Sequence, residues 1–266
     1  MSDLNILIVE GNNPKDSEVF IKAAKASCAE NLKNIVLKME PISNITIINP
    51  ANDNETNEAL ENMDHYNGII FTGGAMRLND MTTEIKKHIT FASNCFKHSN
   101  KILAICWGLQ VCSTAAGGRV TPGKNGAHIG IATDVEINEE GKKNPIYKNK
   151  KLKFNTPAFN FDEVSELPKG AILLASDKVN KNMGVYFKSG NSEVWGLQYH
   201  PDYEYWQMIN LSHARIGKMI ANEYFKDKKT FQKHIDFIKS EEKELDFKNK
   251  THEIQNWLDI IKKSIY

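Results

Sequence analysis

The sequence predicts an α/β fold, a three-layer sandwich with a mostly parallel central sheet, followed by a C-terminal helical extension. Three observations carry this. Short apolar runs recur through the first half of the chain, each closed by turn residues. Segments of helical period lie between them, so buried strands alternate with helices, the pattern of a parallel sheet covered on both faces. The chain then closes on a helix with one apolar face.

Leu4 to Val9 is the first apolar run, ended by Glu10, Gly11, Asn12, Asn13 and Pro14. It reads as a buried strand and a turn ahead of a helix. Ile45 to Ile48 before Asn49 and Pro50 is a second strand, and Gly68 to Thr72 before Gly73 and Gly74 a third. Ile85, Ile89, Phe91 and Ala92 fall near helical spacing between Thr82 and Cys95. Ile102 to Ile105 is the strand that reaches Cys106. From Gly117 the pattern becomes mixed, with Ile129 to Ile137 suggesting antiparallel strands. Leu167 to Gly170 reads as a turn before a strand at Ala171 to Ala175, and Val194 to Tyr199 as a strand ending at His200 and Pro201. Helix follows. Ile254, Trp257, Leu258, Ile261 and Ile265 trace one helical face. The stretch Lys239 to Lys250 is mostly charged, and the expected organisation is a main domain over 1–228 and a helical extension over 229–266.

The chain has 266 residues, enough for one large core. Its 41% hydrophobic and 25% charged residues are usual for a soluble globular protein. The net charge of +1, with lysines interleaved among acids, argues against a nucleic-acid partner. No apolar run approaches the roughly 20 residues of a membrane span, and no basic segment leads into a signal-peptide core, so a cytoplasmic protein without membrane partners is expected. Cys28, Cys95, Cys106 and Cys112 form no C-x-x-C pair and read as free thiols. The histidines lack the spacing of a metal site.

The chemistry centres on Cys106. An apolar strand reaches the cysteine, and Gly108 lets the following amphipathic segment pack closely, which is the pattern of a nucleophile elbow. The thiol would stand at the carboxyl edge of the sheet beside a helix N-terminus, where partial positive charge favours thiolate. His200 lies at the end of a later strand. Strand ends converge on one edge of a parallel sheet, so the imidazole can take the thiol proton and later protonate a leaving amine. Asp202, on the turn fixed by Pro201, can accept the second ring N–H. Gly73 and Gly74 let backbone N–H groups approach a reacting carbonyl. With the N–H of Trp107 they form a candidate oxyanion hole, Gly73 bordering the substrate.

Taken in order, Thr72-Gly-Gly74, Cys106-Trp-Gly-Leu-Gln110, Gly117-Gly-Arg-Val120 and Trp195-Gly-Leu-Gln-Tyr-His-Pro-Asp202 resemble the class I glutamine amidotransferase family. The C-x-G-x-Q and G-x-Q-[FY]-H-P elements are the specific ones. Within the family the likeness is strongest to the GMP-synthetase type of amidotransferase domain, through Asn160 to Val164 and Leu167 to Gly170, and it covers the chain from about Leu4 to Trp206. It implies a flavodoxin-like fold, Cys106 as nucleophile, His200 as base and acid, and Asp202 in the third position. Gly74 and Trp107 would form the oxyanion hole, and Gln110 would line the pocket for the glutamyl group. Attack on a γ-carboxamide would give a γ-glutamyl thioester, then glutamate, with no cofactor.

Departures from the pattern are informative. Asp202 stands where the family usually has glutamate, about 1.5 Å shorter, and Glu204 is an alternative third member. Asn160 replaces a histidine and His128 stands where relatives often carry glutamate, which suggests a changed substrate or partner surface. The segment after Trp206 is too short for an ATP-binding synthetase domain, and no phosphate-binding G-x-x-x-x-G-K-[ST] loop occurs. Three readings follow. One is a free-standing hydrolase or transferase acting on glutamine or a γ-glutamyl amine or peptide. Another is a glutaminase subunit passing ammonia to a separate synthetase, and the third a non-catalytic binding or regulatory relative. The intracellular-protease-like proteins also pair a cysteine elbow with a glutamate near the first strand, where Glu10 stands, but Gln110 and the His200-Pro201 pair argue against them.

Overall fold

The four apolar runs ahead of Cys106 all become strands in the computed structural model, which describes residues 3–265. The first half of the chain runs β1 (Asn5–Val9), α1 (Pro14–Ala24), α2 (Cys28–Met39), β2 (Asn44–Ile48), α3 (Asp53–Glu61), β3 (Gly68–Phe71), α4 (Thr83–Cys95), β4 (Lys101–Ile105) and α5 (Trp107–Ala115). Then come β5 (Arg119–Pro122), β6 (His128–Ile129), β7 (Ala132–Ile137), α6 (Glu139–Lys143), β8 (Lys153–Thr156), β9 (Phe159–Asn160) and β10 (Asp162–Glu166). The chain ends with β11 (Ile172–Ser176), β12 (Gly184–Ser189), β13 (Ser192–Leu197), α7 (Tyr205–Ala221), α8 (Lys228–Glu241), α9 (Phe247–Lys250) and α10 (His252–Ile265).

Among the described residues one nine-stranded sheet runs β2-β1-β3-β4-β13-β12-β11-β7-β8. The β2, β1, β3, β4 and β13 strands pair in parallel, and β13 through β8 pair antiparallel. Strand side chains alternate between two apolar layers because successive residues point to opposite faces. Ile6, Ile8, Leu103 and Ile105 pack with α2 and α10 on one face, whereas Leu7, Val9, Ile102 and Ala104 pack with α4 and α5 on the other. Burial on both faces is why the parallel strands read as unbroken apolar runs.

Several elements differ from the sequence reading, each for a local reason. The segment after Pro14 forms two helices. Lys25 takes a left-handed backbone (φ 66°), and Ser27 then caps α2 by accepting from Glu30 N. The stretch Ile129 to Ile137 splits at Gly130, whose φ of 84° turns the chain. The β12–β13 hairpin turns at Gly190 (φ 54°), and its first strand alternates too weakly to stand out in sequence. In α10, Ile254, Trp257, Leu258 and Ile261 are buried against the sheet, but Ile265 is exposed. Phe231, Ile235 and Ile238 of α8 pack with Ile129, Ile131 and Ile209. Among the described residues no helix is long and apolar enough to cross a membrane.

The α10 helix fits because β3 begins with a glycine: a Cβ on Gly68 would lie 2.5 Å from Ile261 Cδ1 and 2.8 Å from the Trp257 ring. Replacing Trp257 with alanine is expected to lower unfolding free energy by about 3–5 kcal/mol, read from urea denaturation; a loss under about 1 kcal/mol would show that α10 is not part of the cooperative core.

Candidate active site

Strand register brings the candidate residues to one edge. Phe71 of β3 and Gly196 of β13 both lie beside Ala104 of β4, so the chain leaves all three strands at the same level. Cys106 follows β4 directly and holds φ 50°, ψ −106°, a conformation that L-residues rarely adopt. Two backbone hydrogen bonds enforce it: Cys106 N donates to Leu197 O (2.6 Å) and Gly108 N to Thr72 O (3.0 Å). Gly108 has no Cβ to collide with the Phe71 carbonyl, so α5 starts against β3.

His200 and Asp202 follow β13, both buried. Asp202 Oδ1 lies 3.0 Å from His200 Nδ1, while Asp202 Oδ2 has no hydrogen-bond partner among the described residues. Asn31 Nδ2 holds the Asp202 carbonyl at 2.5 Å. Glu204 turns away, capping α7 and pairing with the buried Lys250 of α9. Gly73 sits under the imidazole, where a Cβ would be 2.6 Å from His200 Cε1, and the cavity wall begins at Gly74 rather than at Gly73. The backbone N–H groups of Gly74 and Trp107 make no hydrogen bond among the described residues. Glu10 is occupied elsewhere, accepting from Asn12 N (3.1 Å) and Ala29 N (2.9 Å) at the start of α2. Burial, more than these bonds, sets its carboxyl above the ordinary range.

Cys106, Trp107, Gly74 and Gln110 line a cavity of about 610 Å³. Gln110 Nε2 donates to Asp162 O (3.0 Å) and approaches Gln198 Oε1 at 3.4 Å. The Cys106 thiol faces Phe159 O at 3.7 Å, with Gln198 Nε2 3.5 Å from its sulfur. Arg77 clasps Asp162 through Nε (3.0 Å) and a terminal nitrogen (2.5 Å). The sequence reading did not single out Arg77, Phe159 or Arg215, because isolated residues carry no motif, and it gave Gln198, inside the G-x-Q-[FY]-H-P element, no role of its own.

Asn160 lines the cavity, and His128 lies buried against it. They are buried partners on the paired strands β6 and β9, His128 Nδ1 lying 2.9 Å from Asn160 Oδ1 and its Nε2 2.7 Å from Asp177 Oδ2. Asn160 Nδ2 reaches the same Asp162 carbonyl that Gln110 binds. The two departures are therefore one coupled change that reaches the cavity through Asn160.

The C-terminal helices hold the His200 turn from both sides. The hydroxyl of Tyr199, next to His200, donates to Glu253 Oε1 of α10 at 2.6 Å, and Lys150 Nζ pairs with Glu253 Oε2 at 3.0 Å. On the far side Lys250 takes Glu204. Among the described residues no cluster of three histidine, cysteine, aspartate or glutamate side chains is placed to hold a metal ion.

The family model described as class-I glutamine amidotransferase matches residues 22–207. The γ-glutamyl-L-1-hydroxyisopropylamide hydrolase of a Pseudomonas species is 27% identical over 225 residues, covering 84% of this chain and 75% of that protein. One subunit of the glutamine-hydrolyzing GMP synthase of Methanococcus vannielii is 30% identical over 179 residues, covering 65% of this chain and 80% of the relative. Among solved structures, a glutamine amidotransferase from Thermotoga maritima superposes with a TM-score of 0.67 at 15% identity, over 98% of this chain and 99% of that one, a likeness of fold.

Burial opposes the charged form of His200, but attraction to the Cys106 sulfur and then to Asp202 outweighs it, and the imidazole is pushed up to about 10. A folded value above the ordinary 6.5 stabilises the fold fully below that ordinary value, and the contribution is lost as pH rises through about 10. Replacing Cys106 with alanine removes the largest raising influence and leaves the burial. The His200 titration, followed by NMR of histidine-labelled protein, should then move to lower pH; an unmoved titration would show that Asp202 alone sustains the charge.

Proposed function

Because the chain belongs to the class-I glutamine amidotransferase family, we propose that it is a free-standing hydrolase of γ-glutamyl amides, working through a γ-glutamyl thioester on Cys106. The observation that carries this reading is Cys106 lining a cavity of about 610 Å³, with the buried His200–Asp202 pair behind it. That volume falls within the roughly 300–1,000 Å³ of small-molecule pockets, and it leaves room beyond a glutamine side chain. The similarity to a γ-glutamyl-L-1-hydroxyisopropylamide hydrolase supports an amine larger than ammonia.

In this mechanism His200 takes the Cys106 proton and the sulfur attacks the γ-carbonyl carbon. The carbonyl oxygen gains the negative charge and is met by the backbone N–H groups of Gly74 and Trp107. Collapse breaks the C–N bond, the imidazolium gives its proton to the departing nitrogen, and the amine leaves. Water, deprotonated by His200, then attacks the thioester to release glutamate and restore the thiol. Asp202 holds the imidazole by its second ring nitrogen throughout. Gln110, anchored to the Asp162 carbonyl, lines the glutamyl side of the pocket. Four free, buried cysteines suit a reducing compartment such as the cytoplasm.

A second reading rests on the likeness to the Methanococcus vannielii GMP synthase subunit: a glutaminase switched on by a separate synthetase. Incubation of the purified chain with glutamine and a panel of γ-glutamylamines separates the two. Released glutamate without any partner is expected, and failure on the whole panel would favour the synthetase-dependent reading. Cys106→Ala should abolish both turnover and labelling by a glutamine-mimicking electrophile, and retained hydrolysis would remove Cys106 from the mechanism. Asp202→Asn should lower kcat by about 10²–10⁴, far more than Glu204→Gln, which loses only the Lys250 pair; the reverse ranking would assign the histidine partner to Glu204.

A further inference from the structure

Arg215 of α7 lines the cavity, and so does Asp16 of α1. Among the described residues no carboxylate forms an ion pair with Arg215, and Asp16 acts on it only as a longer-range attraction. Asp16 is itself held by Asn13 Nδ2 at 2.9 Å. The other arginine of the cavity, Arg77, differs in being clasped by Asp162. Arg215 is fixed instead by two rings, its guanidinium carbon 5.0 Å from the centroid of Phe159 and 5.6 Å from that of Phe20. Burial works against its charge. A partly buried guanidinium held between aromatic rings with its donors unspent is preorganised for a planar anion, above all a carboxylate.

The side of the cavity on which Arg215 stands decides which part of a substrate it meets. Gln110, held by the Asp162 carbonyl, is the cavity residue assigned to the glutamyl group. Behind the cavity surface a continuous row of buried rings links Arg215 to His200. His200 contacts Tyr203 (4.9 Å between centroids), Tyr203 contacts Phe20 (6.2 Å), and Phe20 lies under Arg215. In the proposed mechanism the amine leaves from the side of His200, because His200 protonates it.

Resting on the hydrolase reading above, we propose that Arg215 binds a carboxylate carried by the leaving amine, so that the preferred substrates are γ-glutamyl amino acids rather than γ-glutamyl conjugates of neutral amines. Arg215 is then a specificity residue, acting on substrate binding and not on proton transfer.

The test compares γ-glutamylalanine with γ-glutamylethylamide, which share the glutamyl group and differ in the carboxylate of the leaving amine. The wild-type chain should favour γ-glutamylalanine in kcat/KM, and Arg215→Gln should reduce that preference by about 10- to 100-fold, the worth of one hydrogen bond to a charged group, mainly through KM. Arg215→Lys, which keeps the charge without the fork, should fall between the two. An unchanged ratio in both variants overturns the assignment. So does an equal loss on both substrates, which would place Arg215 on the shared glutamyl carboxylate. Wild-type protein that turns over neither conjugate overturns the hydrolase reading itself, and this proposal with it.

Discussion

The backbone of Cys106 is the constraint around which the rest of this edge is arranged. A non-glycine residue at φ 50°, ψ −106° costs of order 1–3 kcal/mol, and it persists only where neighbours leave no alternative. Here β13 holds the Cys106 N–H through Leu197 O, and β3 holds the first turn of α5 through Thr72 O. Both clamps require parallel pairing on either side of β4, with the register that sets Ala104 against Phe71 and Gly196. A one-residue slip would turn each strand's apolar residues to the wrong face. The two apolar layers of the sheet thus fix the register, and the register fixes the cysteine.

Glycines make that arrangement possible by letting backbones and rings approach. Gly108 admits α5 against the Phe71 carbonyl, and Gly73 admits the His200 ring. The imidazole itself is held by Asp202 in a turn tied down at both ends, by Tyr199 to Glu253 and by Glu204 to Lys250. Both anchors come from the last two helices. A buried pair such as Lys150 with Glu253 is weak evidence for net stability, since desolvation offsets attraction. Its value here is positional: it sets where α10 meets the end of β13.

The pocket floor shows how departures from a family pattern can be internally consistent. His128 and Asn160 are far apart in sequence, yet they face one another on β6 and β9 and share the Asp162 carbonyl with Gln110 through Asn160. A histidine on one strand and an amide on the other keep the buried polar groups paired, as burial demands. Arg215 is the contrast. Among the described residues no ion pair neutralises it, whereas Arg77 in the same cavity is paired with Asp162.

Sequence alone determined the alternating architecture, the parallel strands before Cys106, the elbow at that cysteine and the strand end at His200. Those features are local. Apolar periodicity follows from which faces are buried, and the elbow is written in consecutive residues around Gly108. Tertiary structure alone decided that Asp202 rather than Glu204 faces the imidazole, because Lys250, distant in sequence, captures Glu204. It also separated Gly73, packed under the ring, from Gly74 on the cavity wall, broke the helix after Pro14 at Lys25, and left Arg215 beside the cavity without a direct ion pair among the described residues. Each of these depends on which distant side chain arrives at a given place, and periodicity along the chain does not carry that information.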